Sequence, residues 1–333
     1  MPLFQRRTVS VLSLALALSA LAAPLAMAQA PAPAAGSAPP LRIVVPFAAG
    51  GTADIYGRLL AKQWQDAGVA GTVLVENRPG AGGVLGSELV AKAPADGHTL
   101  LLVTVGHAVN PYILPKLPYD TQKDFVPVGM LASVPSLLVV GPGFQGQTVK
   151  ELLAAARSKP GQLEYATSGT GSTSHVAAAQ LESMAGVEML HVPYRGASPA
   201  MQDVMGGRVA FTIDVITSSL PHVKSGKLRA LAVSSAQRSA QAPEVPTMAE
   251  AGVPGYEFTA WYALLAPAQT PPDTLKRLGA ALQAALAQPA FTARLQESGA
   301  TPLPMDRAAS AKYLQGEFDK WSRIVKERNI KAE

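Results

Sequence analysis

Residues 41–64 read LRIVVPFAAGGTADIYGRLLAKQW. The apolar run Ile43-Val44-Val45 has strand character. Pro46 through Thr52, with Phe47, Ala48, Gly50 and Gly51, form a turn rich in small residues. From Ala53 onward, Ile55, Leu59 and Leu60 alternate with polar Arg58 and Lys62 at helical spacing. The order strand, glycine loop, helix N-terminus aims free backbone N–H groups and the positive end of a helix dipole at one point, which suits an anion. The turn lacks the Gly-Lys-Ser/Thr of a phosphate cradle and the G-x-G-x-x-G spacing of dinucleotide sites. It therefore points to a carboxylate. The plain alternative is a tight strand-to-helix turn with no ligand at all.

The chain opens with a secretory leader over Met1–Ala28. Arg6-Arg7 supply the positive start, Val9 to Leu25 the apolar stretch and Ala26-Met27-Ala28 an A-x-A cleavage site. Ser19 and Pro24 interrupt the apolar stretch, which argues against a membrane anchor. Residues 29–40 are rich in Ala and Pro and read as a disordered tether. There is no cysteine, which excludes a disulfide framework, a thiolate nucleophile, a Cys-ligated zinc and an acylated Cys anchor. The expectation is a soluble periplasmic protein. The net charge of +5 includes both leader arginines and contains no Lys/Arg block, so nucleic acid is not the partner.

Beyond Leu41 the pattern alternates strands and helices, which predicts an α/β fold with largely parallel sheets. Strands are expected at Ile43–Pro46, Val73–Asn77, Thr99–Val105, Leu137–Gly141, Leu163–Ala166, Leu190–Pro193, Val209–Asp214, Arg229–Ser234 and Tyr262–Ala266. Thr148-Val-Lys-Glu151 and Thr247-Met-Ala-Glu250 are capping boxes, each expected to open a helix. Ser198-Pro199 reads as a cap followed by proline in the first helical position. The C-terminal third is helix-rich, with helices expected at Pro272–Ala287, Phe291–Ser298 and Arg307–Lys326.

A second loop has the same grammar. Ser168-Gly169-Thr170-Gly171-Ser172-Thr173-Ser174-His175 links a strand to the helix Val176–Ala185 and carries a run of hydroxyl donors. If each loop sits at the carboxyl edge of its own sheet, two domains facing across a cleft would grip one acid from both ends.

The chain resembles the periplasmic solute-binding receptors of tripartite tricarboxylate transporters, the Bug group. The matching segments run in order. They are Val45-Pro-Phe-Ala-Ala-Gly-Gly-Thr-Ala-Asp54, Glu76-Asn-Arg-Pro-Gly-Ala-Gly-Gly83, Ala95-Asp-Gly-His-Thr-Leu-Leu101, Leu117-Pro-Tyr-Asp120, Ser174-His175, His191-Val-Pro-Tyr-Arg-Gly196, Gly226-Lys-Leu-Arg-Ala-Leu-Ala232, Pro246-Thr-Met-Ala-Glu-Ala-Gly252 and Trp261. They cover nearly all of the chain from Leu41 to Lys326. Arg195 stands where the family often has Lys, and His98 where it often has Tyr. The resemblance implies a two-domain type II periplasmic-binding-protein fold with a ligand cleft between the domains. Residues 41–134 plus 257–333 would form domain 1 and residues 135–256 domain 2, with links near Leu131–Ser136 and Glu257–Leu264. It also implies a small organic anion as ligand and a membrane permease of one large and one small subunit as partner. Candidate acids are mono-, di- and tricarboxylates, acidic amino acids and aromatic carboxylates. No cofactor or metal is expected, and the protein should be a monomer.

Several residues admit two readings. Asp54 either compensates the helix dipole and pairs with Arg58 at i,i+4, or orients loop N–H groups or a bound water. His175 either caps its helix or meets the ligand. Arg195, in Tyr194-Arg195-Gly196, either faces a carboxylate or lies in solvent. Asp214 either accepts from a ligand amine or hydroxyl, or caps a turn. Thr104 and His107 end a strand and line the cleft in this reading. Arg78 to Gly83 reads as a packing turn, and Trp261 as a hinge or core aromatic. The rival function is a serine hydrolase, but no G-x-S-x-G elbow is present. The five histidines are scattered and form no H-E-x-x-H. A ligand-presenting sensor would use the same cleft as an uptake receptor.

Overall fold

The computed structural model describes residues 39–328 and residue 330. The leader, its cleavage site and most of the Ala/Pro-rich stretch lie outside the described residues. The chain starts with β1 (Leu41–Val45), α1 (Thr52–Asp66), β2 (Val73–Asn77), α2 (Val84–Ala91), β3 (Thr99–Thr104) and α3 (Gly106–Ile113). It continues with β4 (Phe125–Val140), α4 (Val149–Ser158), β5 (Glu164–Thr167), α5 (Thr173–Ala185), β6 (Leu190–Pro193), α6 (Ala197–Met205), β7 (Phe211–Val215), α7 (Ile216–Lys224) and β8 (Arg229–Val233). It returns through β9 (Thr259–Pro267), α8 (Pro272–Leu286), α9 (Pro289–Glu297), β10 (Thr301–Pro302) and α10 (Arg307–Arg328).

These elements build two α/β lobes. In the first sheet the order is β2-β1-β3-β9-β4, with β10 beside β4. β1 runs parallel to β2 and β3 and is buried on both faces except at Arg42, as an interior parallel strand should be. The second sheet carries β5 parallel to both β6 and β7, with β4 between β7 and β8. α1 packs through Tyr56, Leu60 and Trp64, spaced four residues apart and all fully buried. α10 is tied to β9 by Glu317, whose Oε2 accepts from Trp261 Nε1 at 2.7 Å and Trp321 Nε1 at 3.1 Å. Trp261 is thus a core aromatic, which was one of its two readings.

β4 differs most from the sequence reading. The pattern gave a strand only from Leu137, with a link before it, yet the strand starts at Phe125. Residues up to Pro135 pair with β9, and from Ser136 onward they pair with β7. One strand therefore serves both sheets. Proline is unusual inside a paired strand, but the ladder absorbs Pro127 next to a register shift. At the crossing, Ser136 N donates to Ser234 Oγ at 2.7 Å, and Ser234 Oγ donates to Phe258 O at 2.6 Å.

Two helix starts also differ. Thr247 and Glu250 form both bonds of a capping box, at 2.8 and 3.1 Å, but only a turn follows because Gly252 and Pro254 stop it. Ser198 does not cap α6. The helix begins at Ala197 after Gly196, and the Ser198 hydroxyl donates to Ala49 O at 2.9 Å in the first lobe.

Candidate functional site

The loop between β1 and α1 is held from behind by Asp54. Its carboxylate accepts from Gly50 N at 2.9 Å, Arg58 Nε at 3.0 Å and Asn77 Nδ2 at 3.0 Å. Asn77 Nδ2 also donates to Phe47 O at 3.1 Å, closing a bracket around the turn. Burial pushes this carboxyl up, but the bonds from Arg58, Gly50 and Asn77 outweigh it and hold Asp54 below its ordinary value. The i,i+4 pair with Arg58 is present, and the same carboxylate holds the Gly50 amide of the loop. The turn itself depends on Gly50, which has φ +82° and would place a Cβ 2.9 Å from Ser198 Oγ.

A different bracket holds the loop between β5 and α5. Ser174 Oγ accepts from Ser168 N at 2.8 Å, and Thr167 Oγ1 accepts from Gly169 N at 3.2 Å. His175 Nδ1 accepts from Gly171 N at 3.1 Å, which assigns the ring proton to Nε2. His175 stacks on His191 with centroids 4.3 Å apart, and His191 Nε2 bonds Thr167 Oγ1 at 2.7 Å. Burial pushes both imidazoles down, His175 to about 3 with help from His191, and His191 to about 4. Both rings are neutral near neutral pH. Ser172 caps α5 by accepting from His175 N.

The two loops meet at one cavity, lined by Phe47, Gly51, Thr52, Ala53, Thr104, Ser168, Thr173, Ala197, Asp214, Val215 and Tyr262. It encloses about 350 Å³ including its mouth, but the centre of a water molecule finds only about 30 Å³ of room there. Four helices start at its walls: α1 with Thr52, α5 with Thr173, α6 with Ala197 and α7 just after Val215. Their first-turn amides have no acceptor within the helix. Four positive dipole ends converge on the same space, and among the described residues no lysine or arginine lines it.

Of the residues singled out in the sequence, Phe47, Gly51, Thr52, Thr104, Ser168 and Asp214 line this cavity. The others stand behind or beside it. Ala48 packs on Gly196, where φ is +146° and a Cβ would come 2.7 Å from Ala48 N. Gly169, Thr170 and Gly171 meet the first lobe edge-on. A Cβ on Gly82 would lie 1.6 Å from Thr170 O, and one on Gly106 2.4 Å from Gly171 O. The Arg78–Gly83 segment is thus a packing turn. Ser172, Ser174 and His175 brace the second loop. Tyr194 donates to Asp203 Oδ2 at 2.7 Å, away from the cavity, and Arg195 is exposed. His107 lies on the far side of Thr104. It faces a small space behind Phe47 and also a second cavity with Phe125, Leu314 and Phe318. Ala53, Thr173, Ala197, Val215 and Tyr262 were missed. Ala53, Thr173, Ala197 and Val215 adjoin named residues. Tyr262 carried no signal beyond its place in a strand.

Two α/β lobes sharing the crossing strand β4, with helix N-termini turned to one cavity between the sheets, define a two-lobed solute-binding receptor. A family model described as tripartite tricarboxylate transporter family receptor matches residues 58–330, and the chain belongs to that family. The periplasmic binding protein BugD is 33% identical, with a TM-score of 0.84 over 88% of this chain and 99% of that one. Rpa4515 of R. palustris, solved with adipate, is 36% identical, with a TM-score of 0.84 over 89% and 99%. MatC of Rhodopseudomonas palustris, with bound malate, is 34% identical, with a TM-score of 0.81 over 86% and 98%.

Proposed function

We propose that the chain captures a small organic carboxylate between the Phe47–Ala53 and Ser168–Thr173 loops and delivers it to a tripartite tricarboxylate-type permease of one large and one small subunit. The observation that carries this reading is the convergence of four helix N-termini, with hydroxyls from Thr52, Thr104, Ser168 and Thr173, on a cavity that no lysine or arginine lines among the described residues. The related proteins solved with adipate and malate supply the ligand class. BugD, described as a periplasmic binding protein, supports a periplasmic location. So does the leader pattern at Met1–Ala28. Among the described residues no helix is long and apolar enough to cross a membrane. The protein acts as a monomer and binds its ligand without transforming it.

Domain 1 comprises residues 41–134 and 257–333, and domain 2 residues 135–256. The exchange of partners along β4 at Pro135/Ser136 supports the first boundary. The narrow cavity and the contacts Ser198–Ala49 and Thr173–Thr104 describe lobes drawn together, so an acid enters only when they part. Closure strengthens each bond to the ligand by removing water. A micromolar complex corresponds to about 8 kcal/mol. Several charge-assisted bonds at about 1.5–3 kcal/mol each reach that after the costs of association.

The test is thermal unfolding against a panel of organic acids with neutral sugars as controls. At a hundredfold excess over its dissociation constant, a ligand stabilises the fold by about 2.7 kcal/mol. At least one acid should raise the melting temperature. A shift with a sugar and with no acid would refute the proposal.

A further inference from the structure

Among the described residues, one acidic side chain and no basic one lines the cavity between the loops, an unexpected choice for an anion site. Asp214 lines the cavity, is 5% exposed and has no lysine, arginine or histidine beside it on the lining. It sits near the end of β7, just before α7. Ser218 Oγ donates to Asp214 Oδ2 at 2.5 Å, and the Val215 amide bonds the carboxyl as well. Burial pushes this carboxyl up, against those two bonds. A carboxylate offers about four acceptor sites, so these two local donors leave it with acceptor capacity to spare, and the residue lines the cavity. Tyr262 and Thr52 stand on the same wall. A plain carboxylate held by the helix N-termini would bring no donor to Asp214 and leave its remaining acceptor sites unmet. A ligand hydroxyl or ammonium at that point supplies the missing hydrogen bond.

We propose that Asp214 makes this receptor selective for acids that carry a hydroxyl or ammonium donor beside a carboxylate, over the unsubstituted acids of the same skeleton. The proposal rests on the carboxylate-receptor reading and narrows its ligand class. A purely structural role would leave that preference absent, because Asp214 would then only fasten the start of α7 through Ser218 and Val215.

The experiment is calorimetry at neutral pH on matched pairs. They are malate and aspartate against succinate, 2-hydroxyglutarate and glutamate against glutarate, citrate against tricarballylate, and mandelate against phenylacetate. In the wild type the donor-bearing member of each binding pair should bind at least about tenfold tighter, equivalent to about 1.4 kcal/mol. In Asp214→Asn the side-chain amide can donate to a carboxylate. The ratio should then fall below about threefold, mainly because the plain acid gains. Equal affinities within a wild-type pair, or an unchanged ratio in the variant, would overturn the role of Asp214 while leaving the carboxylate reading intact. If no acid of the panel binds the wild type, the carboxylate reading itself falls, and this proposal with it. The wild-type ratio decides alone if Asp214→Asn does not fold.

Discussion

The loop after β1 is braced by charge, whereas the loop after β5 is braced by hydroxyls and neutral imidazoles. Both leave a strand at its carboxyl end, turn on glycine and deliver the amides of a helix N-terminus to the same cavity. Behind the first stand Asp54, Arg58 and Asn77, with the Arg58 side chain 55% exposed. Behind the second stand Ser174, Thr167, His175 and His191, all buried. One local geometry is thus fixed by two chemistries. Their responses to salt, pH and substitution should differ even though their product, an aimed set of N–H donors, is the same.

The harshest way to break the comparison is to stop the loops from meeting. Gly82→Ala places a Cβ 1.6 Å from the backbone carbonyl of Thr170, at φ +61°. Gly169→Val adds a branched side chain at φ +125°, 3.1 Å from both Gly82 N and Tyr194 O. Either should lower acid affinity about a hundredfold or more by calorimetry, with a near-native circular dichroism spectrum, because backbone cannot yield as a side-chain tip can.

Removing the braces should cost less. Asp54→Ala strands the Gly50 amide and Arg58, and His175→Ala strands the buried Gly171 amide. Each should lower stability by about 1–3 kcal/mol in denaturant melts. Salt should separate them. The loss in Asp54→Ala should shrink toward high ionic strength, since an exposed guanidinium contributes to it, whereas the loss in His175→Ala should hold.

Acid should separate the loops further. His175 and His191 hold folded pKa values of about 3 and about 4, against an ordinary 6.5. The unfolded chain binds more protons between those values, so stability rises with pH across that window and is complete above 6.5. His107, at about 4 in the first lobe, adds to the same slope. Asp54 acts in the same direction but in a lower window. Its folded value lies below the ordinary 3.8, so its contribution is present above 3.8 and lost only below it. Melting temperature should therefore fall from pH 6.5 towards 4. The double variant His175→Gln with His191→Gln should flatten that fall without abolishing it. An unchanged slope would show that these rings are not held neutral by the fold.

The smallest effect is expected at Gly51. It lies at the tip of the loop that betrayed the fold, yet its φ is −82° and a Cβ would sit 3.5 Å from Ala197 Cβ, an ordinary contact. Gly51→Ala should change affinity by no more than about threefold. Gly50, with positive φ, is the residue that the turn requires.

What was legible in the sequence was local. Strand, glycine turn and helix start are written within a dozen consecutive residues, and both loops could be found that way. The partners that define the cavity are remote in sequence. Ser198 reads as a helix cap until the fold brings Ala49 beside it, and nothing near Tyr262 announces that its strand borders the cleft. β4 was half missed because its first half is held by β9, more than a hundred residues later, and its prolines suggest a break. The capping box at Thr247 was read correctly as hydrogen bonds but not as a helix, since two bonds do not extend a turn that Gly252 and Pro254 end.

The central claim is that both loops give their amides to one ligand. It is tested most directly by following backbone amide resonances of the labelled protein while an acid that stabilises it is added. Thr52 and Ala53 in the first loop, and Ser168 through Thr173 in the second, should shift together and saturate at the same ligand concentration. Shifts confined to one loop, or saturating at two different concentrations, would contradict the account.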